Sequence, residues 1–531
     1  MAPKVLVSDK LSETAVQIFR DRGVEVDFEP NLGKDKAKLL EVIGQYDGLA
    51  IRSATKVTAD VLEAATNLKV IGRAGIGVDN VDIPVASKKG VIVMNTPFGN
   101  SITTAEHAIA MMMACARQIP QANASTHQGL WEKSKFMGVE LTNKTLGVIG
   151  CGNIGSIAAS RALGLKMKVI AFDPFLSEER ADELGVTKVE LDELLAKADF
   201  ITLHVPKTEK TANILSKEAI AKMKPGVRII NCARGGLVDE EALAEALKSG
   251  HVAAAAFDVF AEEPAKENVL FGLDNVICTP HLGAATTEAQ ENVALQVAEQ
   301  MSDYLLTGAV QNSLNMPAVT AEEAKVMGPW VKLAEYLGAF IGQLSDEPVK
   351  AINVLYDGVV SEMNLRALDC AVLAGFMKPT NPDVNMVSAP VAIKERGVKI
   401  SQTKQSKTGV FDGYIKLTVE YESRERTIAG TVFSDGKPRF IQIKGINIDA
   451  EVSEHMLYTT NKDVPGVIGT LGMTVGETGV NIANFTLGRN ETGGDAIALL
   501  KLDAPAPAEL LGKLAELGKF QQIQALEFDI A

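Results

Sequence analysis

The segment TLGVIGCGNIGSIAASRALGLKMKVIAFDP, residues 145–174, decides how the chain folds. An apolar run leads into three glycines at G-x-G-x-x-G spacing; a helical pattern follows, and then a second apolar run ending in Asp173. Such glycines let the backbone approach a pyrophosphate, the helix offers free N–H groups, and the carboxylate accepts ribose hydroxyls. The segment predicts a dinucleotide-binding βαβ unit; a glycine-rich turn in a nucleotide-free fold is the alternative. The acid favours NAD over NADP, because a 2′-phosphate would meet its negative charge.

Short apolar runs alternate with helical patterns on both sides of this segment. Five such runs lie within residues 1–98, and six lie between residues 145 and 280. This alternation is typical of parallel sheets with crossover helices, so we expect an α/β protein with two doubly wound, Rossmann-like sheets. After about residue 318 the pattern indicates a mixed α/β unit with antiparallel strands, and a further small unit begins near residue 453.

The composition excludes several classes of protein. A chain of 531 residues is too long for one core, so three or four domains are expected. The net charge of −14, with no basic stretch, argues against a nucleic-acid partner. We find no apolar run of ~18 residues, so no membrane span is expected. The five cysteines form no C-x-x-C pair, which disfavours disulfides and a zinc site. The N-terminus has no targeting pattern, so a cytoplasmic location is expected.

Three strand ends of the second sheet carry charged residues that suit acid–base chemistry. They are Arg234 in NCARGGLVDE (231–240), Glu263 in AFDVFAEEP (256–264) and His281 in PHLGAATTEAQ (280–290). A glutamate bonded to a histidine orients the ring and favours its charged form, and the arginine would bind an anion. Each residue alone has a structural alternative: an arginine reaching solvent, a surface glutamate, a capped loop histidine. Because strand ends of a parallel sheet share one edge, we expect the three to form one site.

Two further features adjoin this edge. His204, in LHVPKTEK (203–210), follows a strand and is predicted to contact the cofactor rather than to catalyse. The loop GRAGIGVDN (72–80) does not match the dinucleotide motif. Its backbone N–H groups could bind an anion such as a carboxylate, and a tight structural loop explains it equally well.

Taken together, these motifs resemble the D-isomer-specific 2-hydroxyacid dehydrogenases. The resemblance extends through IRSATKVTADVL (51–62), NTPFGNSITTAEH (95–107) and NKDVPGVIGTLGMTVGETGVNIANFTLGR (461–489), so it covers essentially the whole chain, as in the long members of the family. It implies four domains with an interleaved order: a substrate-binding domain from residues 1–98 and 285–318, an NAD-binding domain at 99–284, an intervening domain of the allosteric substrate-binding type at 319–452, and a βαββαβ ACT regulatory domain at 453–531.

The resemblance also implies a reaction: oxidation of 3-phospho-D-glycerate by NAD, the first step of phosphorylated L-serine synthesis. His281 would take the C2 hydroxyl proton, Glu263 would hold the imidazole, and Arg234 would bind the carboxylate. Asp258 would contact the nicotinamide carboxamide. The predicted cofactor-binding residues are Gly150, Gly152, Asn153, Ile154, Gly155, Asp173, His204, Cys232 and Asp258.

Substrate and effector residues follow from the same resemblance. The predicted substrate-binding residues are Arg52, Ser53, Arg73, Gly75, Lys133 and Lys135, the two lysines reaching the phosphate from this subunit or a partner. The family usually has arginine where Lys133 stands. Asn461, Asp463 and Asn481 are predicted to form an effector site for an amino acid such as L-serine, and a homo-oligomer, dimer or tetramer, is expected.

Two other functions remain open at this point. One is a different family activity, reduction of glyoxylate or hydroxypyruvate, although those enzymes usually end near residue 320. The other is a nucleotide-sensing protein like the C-terminal-binding corepressors, which share the core. The chain's acidity and its ACT-like tail argue against the corepressor reading.

Overall fold

The computed structural model describes residues 2–406 and 410–530. Within these residues the chain forms four β-sheets. The first is parallel, and its strands are, in spatial order, Glu25–Phe28, Lys4–Val7, Gly48–Ile51, Val70–Arg73 and Ile92–Met94. Its helices are Glu13–Asp21, Lys36–Val42, Ala59–Ala64 and Ile83–Lys88. The central strands are buried on both faces, which explains their continuous apolar sequence.

The second sheet is also parallel and contains seven strands within the described residues. In spatial order they are Val276–Cys278, Val252–Phe257, Val227–Asn231, Phe200–Leu203, Thr145–Ile149, Lys168–Phe172 and Thr187–Lys188. The helices between them are Asn153–Gly164, Glu178–Leu184, Leu191–Lys197, Lys217–Ala221 and Glu240–Ser249. The strand order reverses between Thr145–Ile149 and Phe200–Leu203, and ligands of open α/β sheets bind at such a switch point. The six predicted strands are present; the two-residue strand at 187–188 was not predicted.

Three helices connect the first two sheets. Ser101–Arg117 and Ile119–His127 lead from the first sheet to the second, and Thr287–Thr307 packs back on the first. Gly72 in the first sheet makes this return possible, because a Cβ there would lie 2.2 Å from the sulfur of Met301. Gln300 donates from Nε2 to the carbonyl of Asn95 at 2.9 Å.

The third sheet is mixed and combines one parallel strand pair with antiparallel pairs. In spatial order its strands are Lys399–Gln405, Val349–Gly358, Gly413–Tyr421, Glu425–Val432, Pro438–Ile443 and Ile446–Glu451. Helices Ala321–Gln343, Leu365–Met377 and Ala389–Glu395 accompany it. The first of these begins with a capping box in which Thr320 and Glu323 satisfy each other's backbone N–H groups.

The fourth sheet is antiparallel, with strands in the order Ile482–Arg489, Asp495–Leu502, His455–Lys462 and Phe520–Glu527. Helices Val467–Glu477 and Ala508–Glu516 complete a βαββαβ order along the chain. The predicted α/β fold class, with two Rossmann-like sheets followed by two units containing antiparallel strands, is therefore confirmed. No helix in the described part of the chain is long and apolar enough to cross a membrane.

Candidate active site

The glycine-rich loop connects strand Thr145–Ile149 to helix Asn153–Gly164. Gly150 has a φ of 89°, a left-handed conformation that glycine adopts without strain. A Cβ on Gly155 would lie 1.9 Å from the carbonyl oxygen of Gly150, so the loop and the helix can pack only if this residue is glycine. Gly152 caps the helix and faces open space. Asn153 and Ile154 therefore begin a helix whose first N–H groups can meet a pyrophosphate.

Asp173 stands at the end of the neighbouring strand and stabilises this loop. Its Oδ2 accepts a hydrogen bond from the N–H of Cys151 at 2.8 Å, and Oδ1 accepts one from Phe175 N–H at 2.8 Å. Each carboxylate oxygen has a second lone pair, so ribose hydroxyls can still be bound. The negative charge beside the glycine loop fits NAD and disfavours a 2′-phosphate, in agreement with the prediction from sequence.

His204 lies on the other side of the switch point. Its backbone carbonyl would be 2.7 Å from a Cβ on Gly150, so the two loops are in contact. The ring Nε2 pairs with the hydroxyl of Thr202 at 3.0 Å, and Nδ1 is buried with no hydrogen-bond partner among the described residues. Burial lowers the pKa of His204 to about 4, so the ring is neutral at pH 7. A neutral ring next to the glycine-rich loop fits a cofactor contact.

A cleft of about 1160 Å³ lies between the first two sheets. Its lining includes Arg52, Ser53, Lys56, Arg73, Gly75, Asp79, Asp258, Glu263 and His281. Residues from strand ends of both sheets therefore meet in one cavity, as expected for a ligand site of this fold.

His281 and Glu263 form a close pair in this cleft. Nδ1 of His281 lies 2.6 Å from Oε2 of Glu263, and the other carboxylate oxygen accepts from the N–H of Phe260 at 3.0 Å. Burial opposes ionisation of Glu263, but these hydrogen bonds and the nearby Arg234 outweigh it and hold the pKa of the carboxyl below its ordinary value. With Nδ1–H donated to the carboxylate, Nε2 is the ring nitrogen left to exchange a proton with a ligand.

Asp258 is fully buried and fixes the loop that carries His281. Its Oδ1 accepts from the hydroxyl of Thr279 at 2.5 Å and from Leu282 N–H at 2.7 Å, and its Oδ2 accepts from Gly283 N–H at 2.8 Å. Burial opposes its ionisation, yet hydrogen bonds from His107 and this loop hold the pKa of Asp258 below its ordinary value. Both carboxylate oxygens of Asp258 thus contact the loop of His281. The sequence predicted a contact of Asp258 with the nicotinamide carboxamide but not this support of the loop.

His107 was not among the predicted site residues, although NTPFGNSITTAEH contains it. Its Nε2 lies 3.3 Å from Oδ1 of Asp258. Together with the sulfur of Cys232 these groups lie within 4.8 Å of one another, a spacing that could suit a metal ion. Burial raises the pKa of the Cys232 thiol, so it is protonated at neutral pH. The carboxylate already accepts hydrogen bonds from the loop, so we interpret the group as a hydrogen-bonded support for that loop.

Arg234 has a partner within the protein. Its Nε donates to Oδ2 of Asp79 at 3.0 Å, and Nη1 donates to the carbonyl of Ala233 at 2.7 Å. The sequence predicted the substrate carboxylate, and no group of the protein, as the anionic partner of Arg234. Asp79 lies in GRAGIGVDN, where nothing indicated that it crosses the cleft to reach a residue 155 positions away.

Two more arginines lie on the first-sheet side of the cleft, across from Arg234. Arg52 and Arg73 both line the cleft, beside Ser53. Burial, with the charges of Arg234 and Arg52, lowers the pKa of Arg73 to about 10, so it remains charged at neutral pH. Its Nε is buried with no partner in the described part of the chain. An anionic ligand would relieve this clustering of positive charge.

Gly75 and Lys56 also lie on the first-sheet side of the cleft. Gly75 has a φ of 134° and donates its N–H to the hydroxyl of Thr96 at 2.6 Å, so this N–H serves the loop. Lys56, which follows Ser53 in SATK, lines the cleft and was not predicted.

Lys133 and Lys135 do not line this cleft. Both lie in an exposed segment after helix Ile119–His127, and Nζ of Lys135 pairs with Glu132 at 3.3 Å. Trp131 in the same segment is 86% exposed. Within one chain the structure therefore does not bring these lysines to the other substrate residues.

The predicted effector residues separate into two places. Asn461 and Asp463 line a pocket of about 500 Å³ in the part of the chain built on the fourth sheet. Oδ2 of Asp463 accepts from Nη1 of Arg489 at 2.7 Å, at the same pocket. Asn481 lies outside this lining and donates to Asp503 at 2.7 Å.

Comparisons with known proteins agree with this geometry. The family model of the D-isomer specific 2-hydroxyacid dehydrogenase NAD binding domain matches residues 109–283, and that of the D-3-phosphoglycerate dehydrogenase intervening domain matches residues 326–444. The second unit is thus an NAD-binding domain. Among solved structures, a glyoxylate reductase from Paecilomyes thermophila covers 59% of this chain and 98% of its own, with 30% identity and a TM-score of 0.55. A D-lactate dehydrogenase from Aquifex aeolicus, complexed with NAD and lactic acid, covers 59% of this chain and 100% of its own, with 27% identity and a TM-score of 0.52.

Curated sequences extend the similarity over the full length. A D-3-phosphoglycerate dehydrogenase from Synechocystis sp. is 43% identical over 97% of this chain and 93% of its own. One from Bacillus subtilis is 42% identical over 99% of each chain. Both values are far above what a shared fold alone requires. The chain therefore belongs to the D-3-phosphoglycerate dehydrogenases of the D-isomer-specific 2-hydroxyacid dehydrogenase family.

Proposed function

We propose that the protein oxidises 3-phospho-D-glycerate to 3-phosphohydroxypyruvate with NAD, as the first step of phosphorylated L-serine synthesis. The observation that carries the proposal is the 2.6 Å pair of His281 and Glu263, which lies in one cleft with Arg52 and Arg73 and on the same parallel sheet as the glycine-rich loop. A proton acceptor and an anion-binding wall are what a dehydrogenase of an acidic 2-hydroxy substrate needs. Full-length similarity to enzymes of this name supports the choice of substrate.

Each side chain then has a role in the reaction. When bound at the glycine-rich loop, NAD would supply the hydride acceptor for C2 of the substrate. Nε2 of His281 takes the proton of the C2 hydroxyl, and Glu263 stabilises the imidazolium that forms. Arg234 binds the carboxylate and stabilises negative charge that develops on the C2 oxygen. Asp258 holds the loop of His281 in place. In the reverse direction the imidazolium is the acid.

The phosphate is a dianion and needs more than one cation. Arg52, Arg73 and Lys56 are the candidates that this chain itself supplies to the cleft. We propose that Lys133 and Lys135 belong to the same task from a partner subunit. The exposed Trp131 beside them supports a homo-oligomer, dimer or tetramer, in which this segment is covered.

The remaining units are proposed to regulate the enzyme. We assign residues 1–98 and 285–318 to substrate binding, 99–284 to NAD, 319–452 to an intervening domain and 453–531 to an ACT domain. An amino acid such as L-serine would bind at Asn461 and Asp463, where the pocket offers a carboxylate and a guanidinium. Asn481 would have to come from a second copy. A cytoplasmic location fits a biosynthetic enzyme of this kind.

The decisive assay is NADH formation at alkaline pH with 3-phosphoglycerate and NAD, with and without L-serine. We expect turnover on this substrate and little on glycolate, because the extra cations serve the phosphate. Good reduction of glyoxylate or hydroxypyruvate without turnover of 3-phosphoglycerate would overturn the proposal in favour of the related reductases. Binding of NADH with no turnover of any 2-hydroxy acid would favour a nucleotide sensor.

A further inference from the structure

The ion pair between Arg234 and Asp79 joins the two walls of the cleft. Asp79 belongs to the loop after strand Val70–Arg73, in the first sheet, whereas Arg234 follows strand Val227–Asn231 of the second. Nε and Oδ2 are 3.0 Å apart, and the arginine side chain is 28% exposed while that of the aspartate is 74% exposed. An exposed ion pair contributes little to folding stability. We therefore look for its effect in the cleft, where it orients the side chain of Arg234.

The remaining contacts of Arg234 show what the pair does to the guanidinium. Nη1 donates to the carbonyl of Ala233, and the side-chain amide of Asn231 ties this turn together by bonds to Ala233 N–H and the carbonyl of Arg234. Asp79 therefore holds the Nε edge while the turn holds Nη1. Nη2 has no hydrogen-bond partner among the described residues, and it lies against Gly77, where a Cβ would be 1.9 Å away. The guanidinium of Arg234 is thus held in one orientation, and its Nη2 is left to bind a ligand.

The surrounding charges explain why an acid is needed at this place. Arg234 lowers the pKa of Arg73, so the two cations are close enough to repel. Arg234 also contributes to the lowered pKa of Glu263, which places the carboxylate that orients His281 within electrostatic reach. Without Asp79, the guanidinium would be free to turn towards Glu263 and compete with His281 for it. An anion on the opposite wall prevents this.

We propose that Asp79 is a positioning residue for Arg234: it holds Nε from across the cleft so that the Nη edge binds the substrate carboxylate. The inference rests on the proposed function and adds a residue to it. Asp79→Ala is expected to raise KM for 3-phosphoglycerate about tenfold, with a smaller fall in kcat, because a misplaced guanidinium weakens substrate binding first. Asp79→Asn keeps an oxygen acceptor for Nε and should recover part of the loss.

The test is a set of steady-state measurements on the full-length protein. Asp79→Ala, Asp79→Asn, Arg234→Gln and the double variant Asp79→Ala/Arg234→Gln are compared with the wild type. Glu63→Gln is the matched control, since it removes an exposed carboxylate of the same unit that pairs with Lys89 outside the cleft. Binding of NADH, followed by its fluorescence, should be the same in all of them, which also confirms that each variant is folded.

The double variant separates positioning from a general structural effect. If Asp79 acts through Arg234, kcat/KM of the double variant equals that of Arg234→Gln alone; independent effects would multiply. A lower KM in Asp79→Ala would mean that Asp79 competes with the substrate for Arg234 and would overturn the inference, as would an unchanged KM or multiplying effects. Each of these outcomes concerns the variants only, and the wild type still turns over 3-phosphoglycerate. If the wild type does not, the proposed function fails as well.

Discussion

The glycine-rich loop and the cleft that contains His281 are assembled differently. The loop, its helix and Asp173 come from residues 145–173 of one βαβ unit. The cleft collects side chains from Arg52 to His281 and from both of the first two sheets. The loop therefore depends on close backbone packing, which an added side-chain atom would disrupt. The cleft depends on charges held in place across a gap, in which the loss of a partner is harmful.

The largest effect is expected in the cleft, from His281→Ala. The variant loses the group proposed to take the hydroxyl proton, so kcat should fall by about 10²- to 10⁴-fold. NADH affinity should stay at the wild-type value, because the glycine loop is untouched. Steady-state kinetics and NADH fluorescence measure the two quantities. A similar loss of NADH affinity would mean that the cleft and the loop are not separable in this way.

The glycine loop is tested by Gly155→Ala. A methyl group would lie 1.9 Å from the carbonyl oxygen of Gly150, so the loop must move. Such overpacking costs about 1–3 kcal/mol, and if this cost falls on the bound loop NADH affinity drops by about 5- to 150-fold. Gly164→Ala is the control, since Gly164 lies at the opposite end of the same helix and a Cβ there meets no atom within 4 Å. Equal NADH affinities for the two variants would contradict the packing argument.

Arg234→Gln removes charge from the cleft while keeping a polar side chain. A hydrogen bond to a charged group is worth about 1.5–3 kcal/mol, so kcat/KM for 3-phosphoglycerate should fall by about 10- to 150-fold. We expect NADH affinity to be unchanged. Arg22→Gln serves as the control, because it removes an arginine that pairs with Asp303 outside the cleft lining. A defect confined to NADH binding would instead place Arg234 with the cofactor loop.

Glu263→Gln leaves the imidazole of His281 in place but removes its charged partner. We expect kcat to fall by about 10- to 100-fold, less than for loss of the ring itself. Glu262→Gln, the exposed neighbour, should behave as the wild type. A kcat for Glu263→Gln equal to that of Glu262→Gln would remove Glu263 from the mechanism.

The same variant has a predictable pH dependence of stability. The pKa of Glu263 is held below its ordinary value of 4.5, because the hydrogen bonds from His281 and Phe260 outweigh burial. A lowered folded-state pKa means that the carboxylate stabilises the fold above pH 4.5, and that this contribution is lost as pH falls through the lowered value. Thermal melts should therefore show the largest difference between wild type and Glu263→Gln near neutral pH, narrowing towards acid pH.

Local patterns predicted the parts of the site that are local in the fold. The G-x-G-x-x-G spacing and Asp173 were sufficient for the cofactor loop, since these residues are neighbours within one βαβ unit. The strand-end rule also brought His281 and Glu263 to one edge, and the structure places them 2.6 Å apart. No such rule connects a loop of the first sheet with a strand end of the second, so the contact between Asp79 and Arg234 could not be predicted.

Spacing along the chain and the order of the strands were enough to predict the fold class, the glycine-rich loop and the pairing of His281 with Glu263. Which charges face each other is seen only in the folded chain: Asp79 contacts Arg234, Asp258 contacts the loop of His281, and Lys133 and Lys135 lie away from the cleft. Electrostatic partners are determined by distance in space, and two sheets on either side of a cleft bring together residues that no spacing in the chain relates.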